Sequence, residues 1–150
     1  QIIGNHFNGR SLNGIGITIE GNQTFAYIKN NRIHSYKTQT GQTIWYKCIG
    51  IMINSEARSE ITNNLIYDCY DNGEGGHENT VGIGIFVKST FGNKILGNAI
   101  WNCFVKNGSG SNPGSSLVHA PSAGVLLYNN CLYANREDIK ITSGGVVKVD

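Results

Sequence analysis

A short acidic stretch gathers Asp68, Asp71, Glu74 and Glu78, with His77 inside it. Carboxylate oxygens in that number could hold Ca²⁺. Two of them could also act as acid and base across a glycosidic bond, with His77 as proton shuttle and Lys88 as a further charged partner. The same residue types are those that solvated turns prefer, and no EF-hand spacing organises them. A second set of residues is aromatic. Trp45 and Tyr46 stand side by side, and His34, Tyr67, Trp101 and Tyr133 recur at one place in successive repeats. Flat rings suit the CH faces of sugars, with the polar edge left wet. The candidates are therefore Asp71, Glu74, His77 and Lys88 for catalysis. Trp45, Tyr46, His34, Tyr67, Trp101, Tyr133 and Glu20 are candidates for substrate binding, and Asp68, Asp71, Glu74 and Glu78 for a metal.

The elements that must position these residues are legible as a repeat. An apolar residue, any residue, Asn or Gly, Asn, any residue and a second apolar residue recur in order. The pattern reads Ile2–Phe7, Ile28–Ile33, Ile61–Ile66, Ile95–Ile100 and Leu127–Leu132. Its second Asn falls at 5, 31, 64, 98 and 130, at intervals of 26, 33, 34 and 32 residues. Asn tolerates left-handed backbone better than any residue but Gly, so each pair marks a turn. Asn side chains stacked from repeat to repeat can also hydrogen-bond to one another. Before each turn runs a second pattern. Gly14–Glu20, Cys48–Asn54 and Gly82–Lys88 place Ile or Val at nearly every second residue. Period two is a strand with one buried face. This predicts three inward stacks: Ile15, Ile49 and Ile83; Ile17, Ile51 and Ile85; and Ile19, Ile53 and Val87. Ser116–His119 takes the same place in a degenerate fourth unit, with its register open.

Outward rows follow from that register. Thr18, Met52 and Phe86 form one, and Glu20, Asn54 and Lys88 another. His34, Tyr67, Trp101 and Tyr133 form an aromatic stripe, either open to solvent or covered by the connecting loops. Cys69 and Cys103 are neighbours two residues further on, close enough for a disulfide but placed as buried free thiols. The long connections run Lys37–Lys47, Tyr70–Thr80 and Lys106–Ser115. Loops on a rigid scaffold are where sites usually lie.

Composition excludes several classes. Asn and Ile number 19 each and Gly 20, too many Asn and Gly for a helical bundle and too many Ile for disorder. No apolar run is long enough for a membrane helix. Net charge is +2 without a basic stripe, so nucleic acid is not an expected partner. No Cys-x-x-Cys suggests a zinc knuckle.

The five Asn turns and the Gly-Ile-Gly-Ile strands resemble the right-handed parallel β-helix repeat proteins. That is the architecture of pectate lyases, polygalacturonases, phage tailspikes and many secreted bacterial proteins. The resemblance implies an all-β, right-handed parallel β-helix (a solenoid) of about four to five coils. Each coil has about 33 residues and three strands. It implies a single domain over 1–150, part of a longer solenoid, since both ends lack a cap. It also implies an extracellular or cell-surface protein that binds polysaccharide and, in its enzymatic form, cleaves it as a lyase or glycosidase. The alternative is a structural or adhesive solenoid without chemistry. The family's catalytic signatures do not carry over. Gly75-Gly76-His77 is followed by Glu78, no Arg-x-Lys occurs, and Glu20 is the sole carboxylate of its row. Ca²⁺ is the cofactor the acidic stretch would take, if any. Further coils or another chain are expected partners at the ends.

Overall fold

In the computed structural model the described residues are 1–12, 14–21, 25–37, 47–54, 57–71, 81–88, 92–105, 118–120, 125–133, 139–141 and 147–149. They form strands and turns without a helix. Three main parallel sheets result, beside a small one of two strands. The first holds Gly14–Ile19, Lys47–Ile53, Val81–Val87, Val118–Ala120 and Ile139–Ile141. The second holds Ile2–Ile3, Phe25–Lys29, Arg58–Thr62, Asn93–Leu96, Val125–Tyr128 and Val147–Val149. The third holds His6–Leu12, Arg32–Tyr36, Leu65–Tyr67, Ala99–Trp101 and Cys131–Tyr133. The chain visits the three in rotation, so every strand pairs with its counterparts one repeat away. This all-β arrangement is compatible with a parallel β-helix.

In-register pairing sets like on like. Ile28, Ile61, Ile95 and Leu127 align in the second sheet, and Ile33, Ile66, Ile100 and Leu132 in the third. Ile17, Ile51 and Ile85 align in the first sheet, followed by Val118 and Ile139, which settles the register of the degenerate unit. Among the described residues eleven isoleucines are fully buried, each stabilising the fold by about 1.5–3 kcal/mol through removal from water.

Each Asn turn divides its work between two residues. The first adopts positive φ: 57° at Asn30, 53° at Asn63, 51° at Asn129, and Gly at 4 and 97. The second sends its side chain inward. The backbone N–H groups of Asn5, Asn31, Asn64 and Asn98 donate to the Oδ1 of Asn31, Asn64, Asn98 and Asn130, at 2.9, 2.9, 2.9 and 3.0 Å. The Nδ2 groups donate to the same oxygens. They also reach a backbone carbonyl one repeat earlier: Asn31 to Ile2, Asn64 to Ile28, Asn98 to Ile61 and Asn130 to Ile95. Asn64 is fully buried with both donors and both lone pairs used.

Two expectations are corrected. Ile15, Ile49 and Ile83 do not face the main core. They form a second cluster with Met52 and Phe86, on the outward side of the first sheet. The reason lies at Gly16 and Gly50. A Cβ on Gly50 would stand 2.5 Å from Ile66 Cγ2, and one on Gly16 2.6 Å from Ile33 Cγ2, so both glycines face inward. Ile17 and Ile51, the next residues, face inward too. Two successive inward positions kink the strand and put the preceding isoleucine outside. Met52 and Phe86 do point outward, but Met52 is buried and Phe86 half-buried. The second correction concerns the Tyr70–Thr80 connection. Its first two residues form a strand, Tyr70–Asp71, paired with Phe104–Val105.

Asn64→Ala should lower stability by at least about 3 kcal/mol, because it orphans several buried groups at about 1–3 kcal/mol each. Asn63→Gly should change it by less than about 1 kcal/mol, since glycine accepts the positive φ. Gly50→Ala should cost about 1–3 kcal/mol by overpacking. Urea unfolding midpoints at constant m-value check the three together.

Candidate functional site

The third sheet carries the aromatic residues on its outward side. Strand spacing in a parallel sheet is about 4.8 Å, close to the distance at which rings stack. The rings use it. His34 and Tyr67 stack at 4.7 Å between centroids and 2° between planes, and Tyr67 and Trp101 at 4.5 Å and 4°. His6 meets the His34 end of the column edge to edge, nitrogen against nitrogen, with 4.9 Å between ring centroids. Tyr133 pairs with Trp101 through the backbone but is 65% exposed, its ring outside the column. The predicted stripe is therefore a column of rings facing one another, with His34 buried, Tyr67 and Trp101 half-buried, and only Tyr133 fully open.

Polar partners brace the column. Arg32 Nε donates to the Tyr67 hydroxyl at 2.7 Å, and its guanidinium lies over the Tyr67 ring at 5.5 Å. His34 Nδ1 meets Ser35 Oγ at 2.7 Å, and its Nε2 meets His6 Nε2 at 2.6 Å. Burial is the first cause holding His34 below the usual histidine value. His6, Arg32 and Lys37 act in the same sense, and Asp68 opposes them.

After each of three ring positions the chain turns at a residue of positive φ, 64° at Ser35, 55° at Asp68 and 54° at Asn102. The turn sends Tyr36, Cys69 and Cys103 inward. Cys69 and Cys103 are fully buried free thiols, as expected of rung neighbours in the core. A hydrogen bond with Cys103, then burial, push the Cys69 thiol well above its ordinary value, which keeps it protonated and unreactive.

No family model, curated protein or solved structure matches this chain.

The charged candidates divide between two ends of the first sheet. Asp68 accepts a hydrogen bond from Asn102 Nδ2, and the adjacent Cys69 is a neighbour of Cys48, where the first-sheet strand begins. Glu20, Asn54 and Lys88 lie where those strands end. Six residues of strand, about 20 Å, separate the two places. Asn54 Nδ2 donates to Glu20 Oε1 at 2.9 Å, and Lys88 Nζ lies over the Phe86 ring at 5.2 Å. Lys88 thus joins Glu20's row. The middle of the outer face is closed, because Ile49 and Ile83 are buried there. Trp45, Tyr46, Glu74, His77 and Glu78 lie outside the described residues, and Asp71 is described only as a strand residue paired with Val105. Among the described residues no group of three or more His, Cys, Asp or Glu could hold a metal ion. No helix among them is long and apolar enough to cross a membrane.

Sequence reasoning passed over His6, Arg32 and Ser35. His6 is the register partner of Arg32, not of His34, so a search for equivalent positions misses it. Its reach is diagonal, which a row-by-row reading does not test.

The lowered value of His34 links stability to pH. Unfolded chains take up this proton near 6.5, before the folded protein does. The stabilisation is thus fully present above pH 6.5 and is lost as pH falls from there through the lowered folded value. Melting temperatures between pH 8 and 4.5 in a chelating buffer should fall more steeply for the native protein than for His34→Gln. Equal slopes would remove His34 as the cause.

Proposed function

We propose that this chain is a right-handed parallel β-helix of the pectate-lyase-like kind. It would be a solenoid of about four to five coils with an internal asparagine ladder. It works outside the cell or at its surface, where it binds polysaccharide. The rotation of the chain through three parallel sheets supports the architecture. One observation carries the binding role: the aromatic column ends at Trp101, whose register neighbour Tyr133 swings its ring into solvent. The stack therefore stops with an indole and an exposed phenol on adjacent rungs, a platform of the kind sugar rings use.

Binding is better supported than cleavage. An acid–base pair must stand within roughly 5–10 Å to flank one glycosidic bond. Lys88 and Glu20 lie where the first-sheet strands end, in one row with Asn54. Cleavage would rest on Asp71, Glu74 and His77. A second reading, a structural or adhesive solenoid, is favoured by the mutual covering of the ring faces from His34 to Trp101.

Tryptophan fluorescence titrations with acidic and neutral polysaccharides separate these readings. Saturable quenching by at least one polysaccharide is expected. Tyr133→Ala, which leaves the column in place, should weaken it about tenfold, or about 1.4 kcal/mol. Parallel assays for new reducing ends and unsaturated products, with and without Ca²⁺, detect cleavage. No binding to any polysaccharide would move the protein to the structural reading.

A further inference from the structure

The column begins at a histidine pair that the polysaccharide reading does not use. His6 Nε2 and His34 Nε2 stand 2.6 Å apart, so a single proton lies between them. His34 is held at its other nitrogen by Ser35 Oγ at 2.7 Å. That contact orients the ring, as outer-shell partners do for metal-ligating histidines. With His34 donating from Nδ1 to Ser35, its Nε2 lone pair points at His6. His6 is exposed, and a shift of its own proton to Nδ1 would turn a second Nε2 lone pair to the same point.

We propose that His6 and His34 form a two-imidazole binding site for a divalent transition-metal ion of the Zn²⁺, Ni²⁺ and Cu²⁺ class. Imidazole nitrogen selects these ions over Ca²⁺ and Mg²⁺, which take oxygen ligands. Metal–nitrogen bonds of about 2.0–2.1 Å at a tetrahedral centre place two ligand nitrogens about 3.3 Å apart, so the pair must open by about 0.7 Å and the exposed His6 ring must swing until both lone pairs meet at the metal. The remaining coordination positions face solvent on the side of His6. Neighbouring cations are directed elsewhere. Arg32 donates to the Tyr67 hydroxyl and Lys37 Nζ lies over the Tyr70 ring at 4.8 Å. The Asp68 carboxylate also acts on His34 and offsets their charge. The site is independent of carbohydrate binding at Trp101 and Tyr133, two rungs or more away along the column.

The test is calorimetric titration of the full chain with ZnCl₂, in a background of His77→Gln, His119→Gln and Cys131→Ser that removes the other histidines and the exposed thiol. One saturable Zn²⁺ per chain is expected. His6→Gln and His34→Gln should each weaken binding by about tenfold or more, since losing a ligand costs at least what losing an outer-shell partner does. Ser35→Gly, which keeps the positive φ, should weaken it less. Imidazole ¹⁵N spectra should show both Nε2 resonances shift on Zn²⁺ addition. Absence of saturable uptake at millimolar Zn²⁺ overturns the proposal. So does unchanged affinity in both histidine variants, with the circular dichroism of each matching the parent.

Discussion

The structure depends on one repeated hydrogen bond, from a backbone N–H to the side-chain oxygen of the Asn one repeat later. At each turn from one parallel sheet to the next, the amides on either side bond to backbone carbonyls of a neighbouring repeat, and the N–H of the inward Asn bonds to a side chain instead. Buried without that partner, the N–H would be costly. The carboxamide answers with an acceptor and two donors at a single inward position, and four such steps run from Asn5 to Asn130. Because each Asn needs its counterpart at one strand spacing, the turns fix the register of every sheet they join.

Fixed register then decides what the side chains can do. Residues at one position meet their equivalents at about 4.8 Å, whatever their chemistry. Isoleucines become continuous buried rows, thiols become neighbours, and rings become a column. The same spacing that makes the core dense lets His34, Tyr67 and Trp101 satisfy one another's faces before any ligand does. A surface of recognition is left only where the match fails, as at Tyr133, or where a neighbour reaches diagonally, as His6 does.

Much of this was legible in the sequence because the turns impose strict demands. Asn and Gly accept the left-handed residue most readily, and Asn completes the inward hydrogen bonds, so the pairs at 30–31, 63–64 and 129–130 stand out. Alternation failed at Gly16 and Gly50 for a physical reason. A glycine has no side chain to show which way it faces, so two successive inward positions read as ordinary period two. The Tyr70–Asp71 strand is too short to carry any pattern. The aromatic positions were legible, but not that their faces would be turned to one another. That depends on side-chain rotation, which spacing along the chain does not encode. The acidic stretch beyond Asp71 lies outside the described residues.

The Asn column is also polar along its length. Every described step has the donor in the earlier repeat and the oxygen in the later one, so all the side-chain carbonyls point back toward Asn5. Amide dipoles of about 3.5 D aligned this way add head to tail, as they do in an α-helix. Each bond polarises the next. The molecule therefore carries a directed internal field, negative toward the repeat of Asn5 and positive toward that of Asn130. A repeat entering in the opposite sense would set oxygen against oxygen. A repeat added to such an array has one permitted orientation, set by its side chains as well as by its strands.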